Sequence, residues 1–127
     1  MSTPVILFYS PTPQPYAPKL LQLCAVQGIK LRVLENTDLG RPLTALAQGL
    51  RPGSSPVPGE PLPEPVLIFC HFSDSQLDRA LRSLRRLEVF CLKAILTPSN
   101  SAWTLRELYG ELIKERSQLG GAHPPKA

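Results

Sequence analysis

A proline-dense segment divides this chain in two. Residues 51–65 read RPGSSPVPGEPLPEP, with six prolines and two glycines. Each proline removes an amide donor and pushes the residue before it toward extended geometry, so neither a helix nor a strand interior fits there. Packed structure must come from the flanks, a first half over 4–50 and a second over 66–119, with 51–65 as connector and 120–127 as a flexible tail. At 127 residues, 43% hydrophobic and 19% charged, the chain has the mix of a single globular domain, 1–127, with one core. A Pro-x-x-Pro ligand for an SH3-type domain at Pro58 to Pro61 ranks below the plain connector.

Both flanks open on a dense run of β-formers, Val5 to Tyr9 and Val66 to Cys70. After the first, Pro11 to Pro15 is a stiff loop, and Pro18 suits a first helical turn that runs to a stop at Gly28. Lys30 to Glu35 alternates as a strand, Asn36-Thr37-Asp38 carries turn chemistry, and Pro42 to Leu50 reads as a short amphipathic helix. After the second run, Ser73 with Gln76 forms a capping box and Phe72 with Leu77 a hydrophobic staple. Val89 to Leu96 is the fourth strand, ended by Thr97-Pro98. A second capping box, Thr104 with Glu107, and a second staple, Trp103 with Leu108, start the last helix, which Gly120-Gly121 ends.

This order, βαβαβαβα, predicts an α/β fold: a four-stranded, mostly parallel sheet, strand order 2-1-3-4, with right-handed crossovers and helices on both faces. VILFY and VLIFC lead through the same rhythm of elements, although any two βαβα units share it, so common architecture is preferred over true duplication.

The net charge of +4 is spread along the chain. Arg79, Arg82, Arg85 and Arg86 are the one dense basic group, offset by Asp74, Asp78 and Glu88. A nucleic-acid face at Arg79, Arg82 and Arg86 therefore ranks low. Cys24, Cys70 and Cys91 sit in apolar stretches with no CxxC pair and no metal-ligand spacing, which suits free thiols in a reducing compartment. No apolar run approaches the roughly 20 residues a bilayer crossing needs, and no secretory leader is evident, so a cytoplasmic location is expected.

The run EPVLIF, the leucine-rich helix after Ser73, then LKAILTPSN and WTLRELYGEL carry a resemblance. Over residues 64–115 the chain resembles the bacterial family known as domain of unknown function 3783. The most specific part is Lys93 to Asn100 followed by Trp103-Thr104-Leu105. The resemblance implies no activity, cofactor or site residue.

In open parallel sheets ligands bind beyond the carboxyl ends of the strands. That rule selects Ser10 after the first strand, His71 and Ser73 after the third, and Thr97 and Asn100 after the fourth, with Lys93 inside the fourth strand as a cation in need of a partner or of water. Helix starts at Ser73 and Thr104 add amide donors suited to a small anion. The plainer account has these hydroxyls capping their own helices, and has Lys93 discouraging pairing at a sheet edge. Cys70 and His71 are a poor dyad, because neighbours in a strand point to opposite faces. His123 lies far away in the tail. With no phosphate loop, metal cluster, nucleophile elbow or paired carboxylates, no cofactor is expected and an enzyme is less favoured than a noncatalytic module for a small anionic ligand or a protein partner. The enzyme alternative places Lys93 or Cys70 in a pocket beside Thr97 and Asn100.

Overall fold

The computed structural model describes residues 3–49, 61–89 and 91–118, the side chains of 116–118 excepted. The Pro-x-x-Pro reading rests on residues up to 60, and Phe90, the tail and His123 likewise fall outside the described residues. Element order is β1 (Val5–Tyr9), α1 (Ala17–Gln27), β2 (Lys30–Leu34), a 3-10 turn (Asn36–Asp38), α2 (Leu43–Ala47), β3 (Val66–Cys70), α3 (Asp74–Arg86), β4 (Leu92–Ile95) and α4 (Leu105–Gln118). The fourth strand is shorter than the expected Val89 to Leu96, and α2 stops at Ala47 ahead of the left-handed Gly49 (φ 77°).

The sheet has the expected order, β2-β1-β3-β4. Its strand directions correct the expectation of a mostly parallel sheet. β1 runs parallel to β2 and β3 parallel to β4, but β1 and β3 are antiparallel, so the sheet is mixed. The crossover rule binds strands joined through one helix, as within each half. The long connector between halves carries no such constraint, and the second half enters with its direction reversed.

All ten residues of β1 and β3 are buried, because helices cover both faces. Leu7, Tyr9, Val66 and Ile68 pack with Leu43 and Leu46 of α2 and with Leu105, Leu108 and Leu112 of α4. Ile6, Phe8, Leu67 and Phe69 pack on the other face with Leu20, Leu23 and Cys24 of α1 and with Ala80 and Leu84 of α3. The connector contributes to the core after all: Leu62 is buried, and its amide donates to the Tyr9 hydroxyl at 3.1 Å. The same hydroxyl donates to Asn36 Oδ1 at 2.7 Å, so no polar group of this buried tyrosine is wasted. No described helix is long and apolar enough to cross a membrane.

The antiparallel seam relates the halves by an approximate two-fold axis. Leu7 lies opposite Ile68 at its centre, with Val5 opposite Cys70 and Tyr9 opposite Val66. The axis also relates the segments entering α2 and α4. Pro42 and Thr104 form an antiparallel bridge, flanked by Thr44 N–H to the Ser101 carbonyl (2.9 Å) and Arg106 N–H to the Leu39 carbonyl (3.3 Å). Those two bonds exchange under the two-fold. The helix ends match as well. Past α1, Gly28 (φ 69°) turns the chain so that Ile29 N–H reaches the Cys24 carbonyl; past α3, Glu88 (φ 59°) does so for Val89 and Leu84.

Candidate functional site

The direction of the strands decides which expected residues meet. β3 and β4 are parallel, so His71 and Ser73 share one end of the sheet with Thr97 and Asn100. Ser10 follows the antiparallel β1 and lies at the opposite end. A single rim holding all of them does not form. Ser10 is occupied locally, its hydroxyl donating to the Thr12 carbonyl and accepting from Gln14 Nε2 at 3.0 Å.

At the shared end, most polar groups serve their own turns. Ser73 Oγ accepts from Gln76 N–H (3.2 Å) while Gln76 Oε1 accepts from Ser73 N–H (2.9 Å), and Thr104 and Glu107 do the same at 3.2 and 2.9 Å. Both capping boxes are formed as expected. Asn100 Oδ1 accepts from Thr97 N–H (2.8 Å) and its Nδ2 donates to the Ile95 carbonyl (3.0 Å), tying the turn after β4 to the strand end. The matching turn after β2 is built alike: Asp38 Oδ2 accepts from Glu35 N–H at 2.9 Å. His71 is exposed and left-handed (φ 64°).

Between the outer strand β4 and helix α4 lies a half-open cavity of about 310 Å³. Lys93, Thr97 and Asn100 border it, joined by Ala94, Trp103, Leu108, Glu111 and Glu115. Alternation along β4 puts Ala94 on the α4 side and Lys93 on the other face, opposite Leu67. The Lys93 ammonium accordingly donates to the Cys91 carbonyl at 3.2 Å. Charge within the cavity comes from the carboxylates of the half-buried Glu111 and the exposed Glu115, the first of which also meets Lys114 Nζ at 3.6 Å. The sequence alone does not single out either glutamate, because both look like ordinary solvated helix positions until the cavity between β4 and α4 is seen.

Two further groups escaped the sequence reading. Asp38 and Arg41 are both buried and paired, Oδ1 to Nε at 3.3 Å, at the base of the seam between the halves. Trp103, half-buried, packs against the α2/α4 core layer and reaches the cavity wall, so its expected core role and a view of the cavity coexist.

The thiols are shielded. Burial pushes Cys70 up to about 12, with nearby Arg32 pulling weakly the other way, and pushes Cys24 up to about 11. Cys91 is raised by burial, against the pull of Lys93. A fully buried thiol in that state is no nucleophile, which removes Cys70 from any enzyme reading. Below about pH 9 these thiols are neutral in both folded and unfolded chains. Above it the unfolded chain gains thiolate first, so stability is lost as pH rises from about 9 through the folded values near 11 and 12. Chemical denaturation at stepped pH should show this decline, and a Cys24→Ala/Cys70→Ala variant should show a shallower one; equal slopes would mean the thiols are not buried.

Residues 65–119 match the family DUF3783, a domain of unknown function. The match bears out the resemblance carried by LKAILTPSN and the Trp103 helix start, and it spans β3, α3, β4 and α4, one βαβα unit of the two. No curated protein and no solved structure shows significant similarity to the chain. The DUF3783 unit is therefore the half that holds the cavity, and the first half is its structural counterpart in the same sheet.

Proposed function

We propose that this protein is a noncatalytic partner-binding module, and that the partner is an extended peptide segment added along the outer edge of β4. The observation that carries this reading is the coincidence of two features: among the described residues β4 has a strand neighbour on one side only, and the cavity lies directly beside it. An edge strand offers main-chain donors and acceptors, and an adjoining hollow receives alternate side chains of the added strand. Ala94, Leu108 and Leu112 supply an apolar floor and Glu111 and Glu115 a polar rim. Lys93, on the same edge, limits indiscriminate pairing between copies.

A small anion fits less well. The hydroxyls and the amide at this end are spent on caps and turns, the ammonium faces away, and the remaining charge is negative. The arginine face of α3 offers no better case for nucleic acid: Arg82 is paired with Asp78 at 2.9 Å, on a fully solvated helix face.

The single tryptophan, Trp103, lines the cavity and provides the readout. Linear peptides selected by display against the full chain should perturb Trp103 emission and the amide resonances of Leu92–Ile95 together. Selected binders that leave β4 unperturbed would overturn the reading.

A further inference from the structure

The two-fold relation between the halves allows the cavity beside β4 to be compared with the same place in the first half. Residue equivalences follow from register. Leu7 and Ile68 face each other on the axis, and their partners on the outer strands are Arg32 and Ala94. Arg32 and Ala94 therefore occupy the same position in their respective halves, each on the face covered by α2 or α4. Counting along the helices from the bridged pair Pro42 and Thr104, Leu46 corresponds to Leu108; α2 then ends at Ala47 and turns through the left-handed Gly49, while α4 continues as a helix through Glu111.

In the first half this place is full. The Arg32 side chain crosses from β2 to the end of α2, where Nε donates to the Ala47 carbonyl at 3.3 Å. Its guanidinium rests on Gly49, so closely that a Cβ there would stand 2.5 Å from Nη1 and 2.8 Å from Cζ. In the second half the strand position is the small Ala94, and the space over it is the cavity. Where α2 has already ended in the turn at Gly49, α4 runs on past the cavity and places the carboxylates of Glu111 and Glu115 on its wall. The strand position that carries a long cation in the first half is a small alanine in the second, and the longer second-half helix carries two anions beside the space.

We infer that the cavity is a guanidinium site, which takes an arginine side chain supplied by the partner strand. The inference rests on the edge-docking reading above and adds the chemistry of the side chain recognised. A strand laid against β4 can direct an alternate side chain into the space over Ala94, where Leu108, Leu112 and Trp103 contact its methylenes and the carboxylates of Glu111 and Glu115 meet the planar cation. Arginine suits this better than lysine because its fork can face two carboxylates, and because a flat guanidinium stacks on an indole. The Glu111 contact with Lys114 is long and solvent-exposed, so it offers weak competition.

The test is a titration of the full chain with acetyl-Thr-Val-Arg-Val-Thr-amide and with the same peptide carrying citrulline, which keeps the shape and removes the charge. The arginine peptide should shift the Ala94 and Glu111 amides and the Trp103 indole, and bind at least about tenfold more tightly than its citrulline twin. Glu111→Gln with Glu115→Gln, which keeps the shape of both side chains and removes their charge, should erase that difference. Ala94→Arg, which restores the first-half arrangement, should abolish binding by filling the site from within. Equal binding of both peptides at β4 would overturn the guanidinium site and leave edge docking standing. Shifts confined to other surfaces would overturn both, and no binding by either peptide would overturn the guanidinium site.

Discussion

Asp38→Ala should lower the unfolding free energy by about 3–5 kcal/mol, because it removes a carboxylate paired with a buried guanidinium. Asp38 is fully buried and Arg41 is 5% exposed, so neither charge has water to fall back on. The same carboxylate caps the turn after β2 through Glu35 N–H, a bond that is lost with it. For a chain of 127 residues the change corresponds to a fall in Tm of roughly 10–20 °C, visible in thermal unfolding followed by circular dichroism. Asp38→Asn keeps an oxygen for the turn, as Asn100 does in the second half, and should fall between wild type and Asp38→Ala. A loss below about 1 kcal/mol for Asp38→Ala, the value typical of a surface pair, would mean that the pair is solvated.

Phe69→Ala should cost a similar amount, about 3–5 kcal/mol, from a different source. Phe69 sits on β3 opposite Ile6, fully buried, with the Phe72 ring edge-on at a centroid distance of 5.4 Å. Helices α1 and α3 both close on this face, so the rigid surroundings cannot collapse into the space a ring leaves. Phe69→Leu retains most of the volume and should cost only about 1 kcal/mol. Urea unfolding of both variants measures the contrast; equal costs would show that the ring does not fill a tightly packed interior.

Much of the fold was readable because it is written locally. The capping boxes at Ser73 and Thr104 need only residues three apart, and they hold to the atom. The β-former runs and the strand order followed from burial on both faces. The direction of the second half was not readable. It depends on how the proline-rich connector carries the chain back, and nothing in VLIFC distinguishes parallel from antiparallel pairing with VILFY. That one reversal sent Ser10 to the far end of the sheet. At the site, Lys93 within β4 and Thr97 and Asn100 just after it all border the same hollow. Alternation turns the Lys93 ammonium away from Ala94, and the turn consumes Asn100. Glu111 gained meaning only from comparing the open space over Ala94 with the filled one at Arg32, a comparison that requires the two-fold axis and so the structure itself.

The two-fold relation is approximate, and its imperfection sets a stoichiometry. An assembly of two identical βαβα units would display every groove twice, at opposite ends of the sheet. Here, among the described residues, one of the two places is filled by Arg32 and the other is open. On the edge-docking proposal, joining two unlike halves in one polypeptide would give one binding place rather than two.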